Sequence, residues 1–103
     1  MTRKEILEKA LACVNGDRDA QYGKPEDSFD CIANMWMGYL FAAGAAKGEE
    51  IYIRREDVAA MLALLKIARI ASGVQKSDNW IDLAGYAACG GEIQKSEIEE
   101  GRA

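Results

Sequence analysis

The chain has 103 residues, half of them hydrophobic and 29% charged, with a formal net charge of -4. That length provides for one domain, residues 1–103, with a small core, and the acidic balance excludes general nucleic-acid binding, which needs basic surface to neutralise phosphates. One proline, scarce valine and threonine, and runs of Ala, Leu, Met, Lys and Glu specify an all-α fold of about four helices.

Thr2 and Glu5 form a capping box, and Ile6, Leu7, Ala10, Leu11 and Val14 follow as one apolar stripe. Asn15-Gly16 ends that helix. Residues 15–24 read as an ordered loop. Pro25 suits the first turn of a second helix, with Glu26 and Asp27 at its positive end. Its buried face carries Phe29, Ile32, Ala33, Trp36, Tyr39 and Leu40, and it ends near Gly44. Residues 45–54 connect, with 51–53 extended against the body. A third helix runs from Arg55 to Ser72, closed by Gly73, and is apolar on nearly every side from Val58 to Ile70 except at Lys66 and Arg69. A helix of that kind is central to the fold or packed between subunits. The fourth begins around Ser77 as its N-cap, with Trp80, Ile81, Leu83, Ala84, Tyr86 and Ala87. The charged tail from residue 92 either extends this helix or frays.

No apolar run approaches the ~20 residues that span a bilayer, and the N-terminus has no signal-peptide core. No membrane contact and a cytoplasmic location are expected. Cys13, Cys31 and Cys89 have no metal-ligand spacing and read as buried thiols in a reducing compartment. The sequence has no histidine, which removes Ser-His-Asp and Cys-His catalysis.

The short connection after Gly73 makes helices three and four an antiparallel hairpin. With the midpoint near residue 74, Arg69 falls level with Asp78 and Lys66 with Asp82. Asp78 and Asp82 are one turn apart, about 6 Å along the axis, on one face. Two readings stand. These residues form ion pairs that set helix register; or the carboxylates hold Mg²⁺, with further oxygen ligands from Asp57, Glu26, Asp27 or Asp30, while Lys66 and Arg69 meet substrate phosphate. In the loop before helix two, Arg18, Gln21, Tyr22, Gly23 and Lys24 precede a helix N-terminus whose free amides suit an anion or nucleotide, with Tyr22 stacking on a base. The alternative is a tight linker with Tyr22 in the core. Trp36 and Trp80 read as core residues, Trp80 being the better placed to line a pocket.

The set Arg18-Asp-Ala-Gln-Tyr-Gly-Lys-Pro25, Phe29-Asp-Cys-Ile32, Asp57-Val58, Leu64-Leu-Lys-Ile-Ala-Arg69 and Asp78-Asn-Trp-Ile-Asp-Leu-Ala-Gly-Tyr86 resembles a family of short phage and prophage proteins of unassigned function. This likeness covers residues 15–92 and implies a bacterial host cell. The Asp-Leu-Ala-x-Tyr segment also resembles the all-α nucleoside triphosphate pyrophosphatases of the MazG and dimeric dUTPase type, helical oligomers that act with Mg²⁺. That family carries a Glu-x-x-Glu pair on one helix and Glu-x-x-Asp on a later one. Here the sequence departs from it, with Glu26, Asp27, Asp30 and Asn34 on helix two and Asp78-x-x-x-Asp82 on helix four.

Three functions follow as expectations. In a Mg²⁺-dependent pyrophosphatase, Asp57, Asp78 and Asp82 hold metal. Asp78, Asp82 and Lys66 serve catalysis there, and Arg18, Tyr22, Lys24, Arg69 and Trp80 bind a nucleotide. A non-enzymatic phage accessory protein instead acts through its helical surface. A nucleotide-binding regulatory module keeps the pocket without the chemistry. The amount of apolar surface favours a homo-oligomer in each case.

Overall fold

The computed structural model describes residues 1–15 and 23–101. Four helices and no strand are present among them: α1 (Arg3–Val14), α2 (Pro25–Ala42), α3 (Arg55–Ala71) and α4 (Ser77–Glu99). The all-α expectation holds.

Local chemistry sets most of the boundaries. Glu5 N donates to Thr2 Oγ1 at 3.1 Å and Thr2 N donates to Glu5 Oε1 at 3.4 Å, closing the capping box on α1. Pro25 opens α2, and Glu26 and Asp27 occupy its first turn. After α3 the chain turns at Gly73, whose φ of 91° suits a residue without a Cβ. Asn79 completes this turn, since its buried side-chain amide donates to the Val74 carbonyl at 3.2 Å. The cap of α4 is Lys76, one residue earlier than Ser77, and the helix continues through the charged tail to Glu99.

Helices α3 and α4 are the central pair. Arg55 meets Glu97, Ala59 meets Gly90 and Lys66 meets Asp82, so contacts advance along one helix as they recede along the other. The hairpin is therefore antiparallel. Helix α1 lies against α4 and α2 against α3. The core joins Phe29 and Ala33 of α2, Ile53 and Val58 and Ala59 around the start of α3, and Ile93 of α4. Ile53 is held from behind, its backbone N–H donating to Met37 Sδ at 3.3 Å.

Several apolar residues lie elsewhere than expected. On α2, Tyr39 is exposed and Met37 takes its place against the core. On α1, Leu7 and Leu11 are exposed, because α1 meets the body along the side of Ala10 and Val14. Trp80 is half exposed, and Cys31 is exposed where a buried thiol was expected. For α1 and α2 a single neighbouring helix covers too narrow an arc to bury a broad apolar stripe, and Trp80 lies outside the arcs that α1 and α3 cover on α4. Among the described residues, no helix is long and apolar enough to cross a membrane.

Candidate functional site

All four helices contribute to a cavity of about 340 Å³. Cys13 and Val14 come from the end of α1, Pro25, Ser28, Phe29 and Ile32 from α2, and Leu62 from α3. Helix α4 adds Ile81, Asp82, Gly85, Tyr86 and Cys89. Gly85 faces α1: a Cβ there would stand 3.6 Å from Val14 Cγ1, an ordinary contact distance. Gly23 also lines the cavity, whereas the candidates Arg18 and Tyr22 lie outside the described residues.

The charge in the cavity wall is Asp82, and it is already paired. Lys66 Nζ stands 2.7 Å from Asp82 Oδ2, with the lysine buried and the aspartate partly so. A short contact of this kind is charge-assisted, and in a mostly apolar setting its main role is to neutralise two charges that water does not reach freely. The second predicted pair is not formed: Arg69 and Asp78 are both exposed, and no ion pair joins them among the described residues. The turn after α3 holds Lys66 level with Asp82, but both Arg69 and Asp78 lie on the outer side of the hairpin.

Asp57 sits at the start of α3, away from this cavity. It accepts the Arg54 backbone N–H at 2.9 Å, and the Arg54 guanidinium donates to it at 3.0 Å through both Nε and Nη2. These side-chain bonds hold the Asp57 carboxyl below its usual range and raise Arg54. Asp57 lines a separate cleft of about 300 Å³ with Arg54, Glu56, Ala59, Tyr86 and Gly90. Among the described residues, no three acidic or cysteine side chains converge as metal ligands. Asp57 at the start of α3 thus lines a different hollow from Asp82, and Asp78 is exposed one turn before Asp82 on α4. Lys24, exposed at the start of α2, lines a further pocket with Glu26 and Glu92. Trp80 borders none of these three hollows; its neighbours Ile81 and Asp82 face the four-helix cavity instead.

Two features were missed by sequence reasoning. Arg55 Nε donates to Glu97 Oε1 at 2.8 Å, a largely buried pair that ties the end of α4 to the start of α3. Glu56 beside it is buried, and among the described residues its carboxylate oxygens have no hydrogen-bond partner. The contact spans 42 positions and ends in a run of similar-looking acids, so no local pattern marks Glu97.

Comparison with known proteins follows the phage resemblance. A family model described as a domain of unknown function, DUF6378, matches residues 5–94. The Gene 55 protein of Mycobacterium phage D29 is 35% identical over 96 residues, covering 93% of this chain and 58% of that protein. The Gene 55 protein of Mycobacterium phage L5 is 36% identical over 95 residues, covering 92% and 54%. The chain spans little more than half the length of these relatives. No solved structure matches it. The matches support the phage-protein resemblance and add nothing to the pyrophosphatase one. With the family model covering most of its length, the chain belongs to DUF6378, a family of unknown function with mycobacteriophage Gene 55 proteins among its relatives.

Proposed function

We propose that this chain is a small phage-family accessory protein that acts by association, through an apolar face that its own fold leaves uncovered. The observation that carries this reading is a stripe on α3. Met61, Leu64, Leu65 and Ala68 recur at helical spacing, all exposed, with Leu64 at 61%. Trp80, half exposed on α4, stands level with Ala68 in the register that pairs Lys66 with Asp82. Such a stripe at the centre of a hairpin gains free energy when another helix covers it, and a second copy of the chain is the first partner to test. Two charged pairs support the same reading, because Lys66 with Asp82 and Arg54 with Asp57 are engaged with each other.

Light scattering on the wild-type chain and on Leu64→Glu/Leu65→Glu tests it. The expected result is a stable oligomer that becomes a folded monomer in the variant, judged by unchanged helical circular dichroism. A wild-type monomer at micromolar concentration, with no phage or host protein cross-linked at Leu64 during infection, overturns it.

A second reading, a nucleotide-binding module with or without Mg²⁺-dependent hydrolysis, is favoured by the four-helix cavity. Phe29 and Tyr86 supply aromatic walls and Asp82 an acceptor. Thermal shift against a nucleotide panel, with and without Mg²⁺, separates the two. A shift that Asp82→Ala abolishes supports the second reading, and silence across the panel removes it.

A further inference from the structure

The cleft of about 300 Å³ that Asp57 borders lies along the α3–α4 seam. Its walls are short side chains, Ala60 and Ala63 on α3 and Ala87 and Gly91 on α4, so the two helices leave room beside the close Ala59–Gly90 contact. Towards the start of α3 the wall becomes charged. Arg54, Glu56 and Asp57 line it, two carboxylates against one guanidinium. Arg54 is spent on Asp57 through three hydrogen bonds, and its Nη1 stands 3.9 Å from Glu56 Oε2, beyond hydrogen-bonding range. The next cation along the chain, Arg55, is bonded to Glu97 at 2.8 Å. Glu56 is only 8% exposed, and among the described residues neither of its oxygens has a hydrogen-bond partner. A carboxylate buried in that state is costly, and a charged donor that reaches it recovers much of the cost. A run of alanine and glycine by itself is only a packing gap. The unsatisfied acid in the wall gives this one a chemical preference.

We propose that the α3–α4 cleft binds a small alkylamine or diamine, its primary ammonium group taken up by Glu56. An ammonium is a compact cation with three donors, and the cleft wall offers acceptors for them in Glu56 and the Gln94 amide oxygen. Tyr86 also borders the cleft, and a cation gains from an aromatic face. The methylene stem would displace water from Ala60, Ala63 and Ala87, which is favourable in proportion to the apolar area covered. A divalent metal suits the cleft less well. Hard cations take about six oxygen ligands, Asp57 is occupied by Arg54, and no three acidic or cysteine side chains converge among the described residues. Met61, Leu64, Leu65 and Ala68 of the exposed stripe do not line this cleft, so the site stands apart from association through that face.

The test is titration of the full chain with cadaverine at pH near 7, followed by calorimetry and by NMR of the alanine methyl groups, with n-pentanol and Mg²⁺ as comparison ligands. Saturable binding is expected at about 1 mM or tighter, with the largest shifts at Ala60, Ala63 and Ala87 and no response to n-pentanol. Glu56→Gln keeps the shape but removes the charge, and should weaken binding at least about tenfold. No saturation by about 10 mM, shifts centred elsewhere, equal binding of n-pentanol, or wild-type affinity in Glu56→Gln each overturns the proposal. A stronger response of the same methyls to Mg²⁺ than to cadaverine overturns it too, by making the cleft a metal site. Should Glu56→Gln not fold, Ala63→Leu decides, because it fills the cleft from the α3 side: it must weaken binding about tenfold, and unchanged affinity overturns the proposal.

Discussion

Gly90 of α4 faces Ala59 of α3 so closely that a Cβ built on the glycine would lie 2.9 Å from the alanine Cβ. Neither group can rotate away, so the contact sets how near the two central helices come. Gly90→Ala should therefore destabilise the fold by about 1 kcal/mol, overpacking outweighing the gain in helix propensity. Gly91, one position on, meets nothing within 4 Å, and Gly91→Ala should stabilise by about 0.5–1 kcal/mol. Urea denaturation of the two variants must give opposite signs, and Ala59→Gly should restore Gly90→Ala.

The Lys66–Asp82 pair should behave as a unit. Lys66→Met leaves a carboxylate unpaired at the cavity wall and Asp82→Leu strands a buried ammonium, each costing about 1–3 kcal/mol. The double variant Lys66→Met/Asp82→Leu should recover most of the loss, because an apolar pair of similar volume carries no desolvation cost. A denaturation cycle showing additive single effects would remove the structural role assigned to the pair.

Acid sensitivity should reside partly at Asp57. Its carboxyl is held below the ordinary value by Arg54, so its contribution is present above the unfolded value of about 3.9 and is lost as pH falls through the folded one. The partner guanidinium is about half exposed, which limits the effect to the order of 0.5 kcal/mol. Melting temperatures of wild type and Asp57→Asn should differ at pH near 7 and converge at strongly acidic pH.

Asn79 holds the hairpin turn through the Val74 carbonyl, and it is only 3% exposed. Asn79→Ala should cost about 1–2 kcal/mol, the loss of a buried hydrogen bond with its acceptor left in place. Asp78→Ala, exposed at the neighbouring position, should change stability by no more than about 0.5 kcal/mol. Thermal unfolding of the two variants side by side checks this.

The sequence by itself determined the four helices, the antiparallel hairpin and the facing of Lys66 with Asp82. Those features depend on short-range rules: the Thr2–Glu5 cap, Pro25 at a helix start, Gly73 at a turn, and a register counted outward from that turn. Only the tertiary structure decided which side of each helix is covered. Tyr39, Leu7, Leu11 and Trp80 have the composition of core residues and stay exposed, because burial depends on the arc that neighbouring helices occupy. It also decided that Arg69 and Asp78 stay apart, that Asp57 belongs to Arg54, and that Glu97 returns across 42 positions to Arg55 beside Glu56. Long-range placement of charge depends on the packing of whole helices, and no spacing within one helix encodes it.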